Sequence, residues 1–487
     1  MADKASLVQA LSFFDVTNLV VGSVIGADIY IAASFGAGLL GPASLVAWLV
    51  AGFMAMFIAL CFVECASYLA EVGGPYAYAK EVWGKHIGFS VGWSLWLAEW
   101  ISLAVFPIAF VRYLSFFMPN LNYLQVAAVK LLFIVFLTVT NLLGVKAAGK
   151  TNDFLTIAKI GPLIFIAAAG FLFVGTTWST TSLNYNPFAP LGWSGFGDAV
   201  ILIFWAYAGF ELSTVPAGEI REPRKTIPRA VAVGMLIVLV FYLATNVVIL
   251  GVEPWQVLAQ DSTPLVTSGS RLMSILDPNL AWIGAVFIGV GALVSISGAD
   301  ESGTLGTSRV AYAMAADGLF PGFFGKIHHK YKTPYMSLIV QNATAYVVSL
   351  FGTINRLIEL SVFYLIFTYA VTCASVVPLQ RKSGVRIGTR RSWLFAVAGL
   401  GCCAYLLSRS TPENVLLGIL SLLLGLPIYV KYAPKKEVSE LKATLVARET
   451  VFARRLRTSE VFLGHLLSHL RRSITELRKR GTSKCGP

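Results

Sequence analysis

The stretch Val21-Gly22-Ser23-Val24-Ile25-Gly26-Ala27-Asp28-Ile29 decides how the rest of this chain is read. Predominantly apolar sequence flanks it at 11–20 and 30–40. Together these residues exceed the ~20 that a helix needs to cross a bilayer. The middle nevertheless opposes a continuous helix. Gly22 and Gly26 each weaken it relative to alanine, and Asp28 places a carboxylate near membrane depth. Irregular backbone survives there only inside protein or beside a water-filled cavity. A break in this first hydrophobic segment therefore turns backbone N–H and C=O groups toward such a cavity, where a polar solute can be held.

Of 487 residues, 56% are hydrophobic and 13% charged, with mean hydropathy +0.72. A soluble domain carries about 25% charged residues, so the chain reads as an all-α, multi-pass integral membrane protein rather than a globular enzyme with an anchor. The N-terminus lacks the pattern of a cleaved signal, so the first segment is expected to stay and span. Cys61, Cys65, Cys373, Cys402 and Cys403 lie in apolar segments and read as small hydrophobes; Cys485 lies in the tail. No second pair completes a metal site with Cys61 and Cys65. His86, His328 and His329 fall in loops, and His465 and His469 read as a solvated face rather than metal ligands. Neither a metal nor a cofactor is expected. A membrane-embedded enzyme is disfavoured, because no clustered nucleophile, base or metal set is evident and His-Glu-x-x-His does not occur.

Net charge is +13, and from Lys431 onward fourteen Lys/Arg face five Asp/Glu, so most of the excess is terminal. In the tail, 434–487, apolar positions such as Leu441, Leu445, Phe452 and Leu456 alternate with Arg and Lys. This suits a basic amphipathic segment on anionic lipid, or a solvated and partly disordered tail; nucleic acid is not an expected partner.

Hydropathy places twelve spans, near 11–39, 43–70, 87–117, 123–143, 154–175, 196–217, 229–251, 281–308, 335–352, 357–379, 392–409 and 414–432. The Lys/Arg-rich loops alternate with loops nearly free of both, so the positive-inside rule sets both termini in the cytoplasm. The sixth span echoes the first. Phe204-Trp205-Ala206-Tyr207-Ala208-Gly209-Phe210-Glu211 again puts a glycine and a carboxylate at mid-membrane. Two interrupted helices in equivalent places of two inverted halves point to a midplane site.

Four stretches carry a resemblance. They are Gly26-Ala27-Asp28-Ile29-Tyr30, Ala70-Glu71-Val72-Gly73-Gly74-Pro75-Tyr76-Ala77-Tyr78, Gly218-Glu219-Ile220-Arg221-Glu222-Pro223-Arg224-Lys225-Thr226-Ile227-Pro228-Arg229, and Ser308-Arg309-Val310-Ala311-Tyr312-Ala313-Met314-Ala315-Ala316-Asp317-Gly318-Leu319-Phe320-Pro321. In this order they resemble the amino acid–polyamine–organocation family of permeases. The resemblance implies a 1–433 transport domain of twelve transmembrane helices with the leucine-transporter-type 5+5 inverted repeat. Helices 1 and 6 would be broken, the repeats would cover about 11–175 and 196–379, and two further spans would cover about 392–432. It implies alternating-access transport of amino acids or amines.

The resemblance also implies a site. The substrate carboxylate would rest on N–H groups where the first helix restarts, which brings in Ser23, Ile25, Gly26, Ala27, Asp28 and Ile29. The ammonium would meet carbonyls freed near 203–207, with Phe204, Trp205, Tyr207 and Ala208 around it. Asp28 departs from the family's usual glycine. It is either an N-cap bonding an N–H near Tyr30 or Ile31, or a counter-ion for a cationic substrate. Trp205 matches a gating aromatic, where a cation over indole gains ~0.5–2 kcal/mol; the alternative is a packing ring. Glu211 matches an acidic position that binds protons or lines the inner path, unless a basic residue pairs with it. Lys159 resembles a lysine that stands where sodium-coupled relatives hold sodium, which suggests proton coupling or exchange; the alternative is snorkelling to the surface. Asp300 and Glu301, adjacent on a helix and ~100° apart, cannot both face one cavity, and the other would meet water or Arg309. These carboxylates favour a cationic substrate. The chain therefore reads as a secondary transporter of amino acids, leaning toward cationic ones, with a polyamine or amine carrier as the alternative. A non-transporting amino-acid sensor and a channel are the readings of another class.

Overall fold

The computed structural model describes residues 11–143, 145–383 and 389–434; the basic tail lies outside them. Among the described residues the regular secondary structure is helical, joined by turns and loops, with an isolated backbone bridge between Leu11 and Ile220. The helices are α1 (Phe13–Val24), α2 (Ala27–Leu40), α3 (Ser44–Tyr68), α4 (Pro75–Trp83), α5 (Lys85–Phe117) and α6 (Tyr123–Leu142). Then follow α7 (Val145–Thr176), α8 (Trp178–Thr181), α9 (Phe196–Trp205), α10 (Pro223–Val252), α11 (Trp255–Gln260) and α12 (Pro264–Leu276). The last are α13 (Ala281–Ala316), α14 (Tyr335–Phe351), α15 (Ile354–Ser383), α16 (Thr389–Arg409), α17 (Pro412–Leu423) and α18 (Gly425–Tyr432).

Among the described residues, ten stretches are long and apolar enough to cross a membrane. The first, Phe13–Tyr68, is 56 residues long and covers the first two expected spans; Tyr335–Phe351 is apolar but shorter. Large apolar side chains point outward from these helices. Leu132 is 69% exposed and Leu172 70%, a cost in water that lipid removes.

The predicted break in the first segment is present. α1 opens on a reciprocal cap: the Ser12 N–H donates to Asp15 Oδ2 at 2.6 Å, and the Asp15 N–H to Ser12 Oγ at 3.4 Å. It ends at Val24; Ile25 is extended, Gly26 lies outside the helical region, and α2 restarts at Ala27. A Cβ on Gly26 would stand 2.4 Å from the Cβ of Ala299, so only glycine lets α13 approach this closely.

The second break is also present. The end of α9 tightens into i→i+3 bonds: Ala206, Tyr207 and Ala208 donate to the carbonyls of Ile203, Phe204 and Trp205 at 2.9, 2.9 and 3.0 Å. Gly209 then turns at φ +114°, in the left-handed region open to glycine, and a short 3-10 segment, Phe210–Thr214, follows.

Three of the four resemblance-bearing stretches meet. Leu11 exchanges two backbone bonds of 2.9 Å with Glu219 and Arg221. Arg309 Nε donates to Glu219 Oε1 at 3.3 Å, with both side chains buried. Lys80 Nζ and the Tyr76 hydroxyl donate to Asp317 Oδ2 at 2.7 and 2.5 Å. The Gly73 N–H donates to the Val215 carbonyl at 3.0 Å.

Candidate functional site

A cavity lies where the two breaks meet. Ser23 and Asp28 line it from the first break, Trp205, Ala208 and Gly209 from the second, Glu99, Ser102 and Phe106 from α5, and Ala299 and Gly303 from α13. Its volume is about 20 Å³, room for a single water and far too little for an amino acid.

The first break has already spent most of its loose polar groups on the protein. Lys159 Nζ, fully buried on α7, donates to the carbonyls of Gly22 and Ile25 at 2.6 and 2.5 Å. Tyr242 donates to the Val24 carbonyl at 2.8 Å. Lys159 therefore does not snorkel; its ammonium replaces the helical N–H groups that would otherwise close this end of α1. Asp28 Oδ2 accepts from the Gly26 N–H at 3.1 Å, behind its own helix start. The expected cap onto Tyr30 or Ile31 gives way to this bond because side chains on a helix lean toward its N-terminus. Ala27 and Ile29 are buried beside it in the first turn of α2, whose N–H groups have no i−4 carbonyl to serve them.

At the second break Trp205 faces the cavity. Its Nε1 donates to Ser102 Oγ at 3.3 Å, and its ring lies 6.2 Å from that of Phe106. Phe204 and Tyr207 do not line the cavity. Phe204 packs on Tyr369, while the Tyr207 hydroxyl donates to the Trp48 carbonyl at 3.1 Å and its ring meets Trp48 and Tyr242. The tight i→i+3 end of α9 swings these rings away. It also engages the carbonyls of Ile203, Phe204 and Trp205 that were expected to be free.

Glu211 is fully buried; its Oε2 accepts from the Gly209 N–H at 3.0 Å, and its carboxyl neighbours that of Glu99 rather than a basic side chain. Asp300 and Glu301 lie off the cavity. Glu301 Oε2 accepts from Thr140 Oγ1 at 2.7 Å, and Arg309 is held by Glu219 instead. Glu99 and Ser102 escaped the sequence reading. Leu97-Ala98-Glu99-Trp100 carries a carboxylate inside an apolar span just as Asp28 does, but nothing in a continuous helix marks which face it takes.

The profile of the family described as amino acid permease matches residues 11–418. The branched-chain amino acid permease of Bacillus subtilis is 26% identical over 452 residues, 89% of this chain and 94% of that protein. The serine/threonine exchanger of the same organism is 28% identical, over 86% of this chain and 95% of that protein. The vacuolar cationic amino acid transporter 4 of Arabidopsis thaliana is 28% identical, over 79% of this chain and 65% of that protein. These relatives are carriers and not enzymes. Together with the apolar helices, the match across the chain establishes that it belongs to the amino acid permease family and is a multi-pass integral membrane protein.

Proposed function

We propose that the protein is a secondary transporter of amino acids, favouring cationic ones, that works by alternating access. The observation that carries this reading is the cavity between the two helix breaks, whose charged lining residues, among those described, are Asp28 and Glu99. A cation there meets two carboxylates, and the Trp205 indole offers a further ~0.5–2 kcal/mol. With room for one water, the cavity admits substrate only when its walls move, which supports a closed form within a cycle.

The proposed architecture is twelve spans in two inverted halves with two spans outside them, both termini in the cytoplasm, and the basic tail on anionic lipid. Interruptions in the first and sixth expected spans support it. Lys159 sets its side-chain nitrogen on the Gly22 and Ile25 carbonyls, which supports proton coupling or exchange in place of sodium dependence. Glu211, beside Glu99, is the proposed proton-binding partner.

A second reading has its own observation. Asp28 occupies the Gly26 N–H, a donor that a substrate carboxylate would need and that an amine without a carboxylate does not. A counterflow screen in proteoliposomes tests both readings. Lysine or arginine should exchange without sodium and respond to a pH gradient; exchange of diamines alone selects the second reading. Equal counterflow of leucine and serine with no cationic exchange overturns both, and absence of any flux leaves a sensor.

A further inference from the structure

Two grooves on the outside of the bundle share Trp282. One, of about 550 Å³, sets the polar side chains of Glu253, Thr267, Ser270, Arg271 and Ser274 among the apolar ones of Phe116, Val266 and Ala285. Arg271 Nη1 donates to Glu253 Oε2 at 3.1 Å; the arginine side chain is 53% exposed and the glutamate 5%. One of the five guanidinium N–H groups is thereby used, and the rest of the fork faces outward. The other groove, of about 400 Å³, is apolar and lies between α7 and α13, walled by Trp282, Val286, Phe287, Val290 and Val294 against Ala158 and Pro162.

The dimensions are those of a lipid. Trp282 and Val294 are twelve residues apart on one helix, or ~18 Å of rise. Half of a ~30 Å hydrocarbon core is ~15 Å. Trp282, 65% exposed where the charge-bearing groove meets the apolar one, sits where tryptophan favours the membrane–water boundary.

We infer that the two grooves form one binding site for a zwitterionic glycerophospholipid. Its phosphate lies on Arg271, its headgroup ammonium beside Glu253, and one acyl chain runs along the α7–α13 groove. The charges select this occupant. A lone anion on Arg271 would face the Glu253 carboxylate, whereas a headgroup of both signs matches the pair. A free amino acid also carries both signs but leaves the apolar groove unfilled. The groove floor is close to the transport machinery: Ala158 adjoins Lys159, and a Cβ on Gly291 would strike Pro162 Cγ at 2.1 Å, so α7 and α13 touch there. The chain thus braces the two helices that carry Lys159 and the cavity wall at Ala299.

The test uses the full-length protein and reads binding rather than transport. Native mass spectrometry follows retention of phosphatidylethanolamine and phosphatidylglycerol, and a phosphatidylethanolamine with a diazirine on its acyl chain is cross-linked and mapped. Phosphatidylethanolamine should be retained in preference, with adducts within 282–294. Arg271→Ala should lower retention about tenfold, and Arg271→Lys, which keeps the charge without the fork, should lie between. Val290→Trp should remove the adducts from the groove while the variant elutes as a folded monodisperse peak. Retention indifferent to headgroup and unchanged in Arg271→Ala, or displacement of the lipid by millimolar lysine, overturns the inference.

Discussion

The hydroxyl of Ser23 donates to the carbonyl of Gly209 across 3.0 Å, tying two helix interruptions that are 186 residues apart in sequence. Gly209 also packs closely on Ser23, since a Cβ there would lie 2.7 Å from the Ser23 carbonyl oxygen. The seam between the breaks is therefore a specific backbone contact. Gly209→Ala should lose ~1–3 kcal/mol through its positive φ alone, with the clash added. Ser23→Ala should cost ~1 kcal/mol. Thermal unfolding in detergent ranks the two; equal midpoints for Gly209→Ala and the parent chain would dismiss the seam as a constraint.

Lys159 answers for two carbonyls, those of Gly22 and Ile25. Lys159→Ala strands both in a dry interior at ~1–3 kcal/mol each. The expected outcome is a less stable protein whose remaining uptake no longer responds to a pH gradient. Uptake at several imposed gradients checks this, and a gradient response equal to that of the parent chain removes Lys159 from coupling.

Asp28 and Glu99 are the carboxyl side chains that line the cavity. Asp28→Asn and Glu99→Gln should each weaken cationic substrates about tenfold or more, the effect of removing one charge-assisted bond, while sparing neutral amino acids. Asp28→Gly should, in addition, release the Gly26 N–H and improve uptake of neutral amino acids. Competition against labelled arginine reads all three variants. Unchanged inhibition constants would return the two carboxylates to a structural role.

The Arg309–Glu219 pair is buried, with side chains 2% and 1% exposed. Breaking such a pair by removing one partner costs ~3–5 kcal/mol, because it leaves a buried charge uncompensated. Arg309→Met should therefore unfold at a markedly lower temperature, and Arg309→Met with Glu219→Gln should recover much of the loss. A double variant no better than the single one would assign the cost to packing of the arginine stem.

The sequence alone determined that the chain is a membrane protein, where its apolar segments run, and that the first and sixth of them are interrupted. Long apolar runs and glycines beside carboxylates are local features, and membrane insertion and helix breaking respond to local composition. It likewise placed Ser23, Asp28, Trp205 and Ala208 in the stretches that border the cavity. Tertiary structure alone decided the direction of each side chain. It turned Tyr207 and Phe204 into the packing around α3 and α15, sent Asp28 back onto Gly26, paired Arg309 with Glu219 and not Glu301, and brought Glu99 to the cavity from a span with no break to announce it. The reason is geometric. A residue's depth along a helix is set by counting from the helix end, but the face it presents depends on how that helix is rotated against its neighbours. That rotation is fixed by contacts such as Gly26 on Ala299 and Gly291 on Pro162, which join residues far apart in the chain.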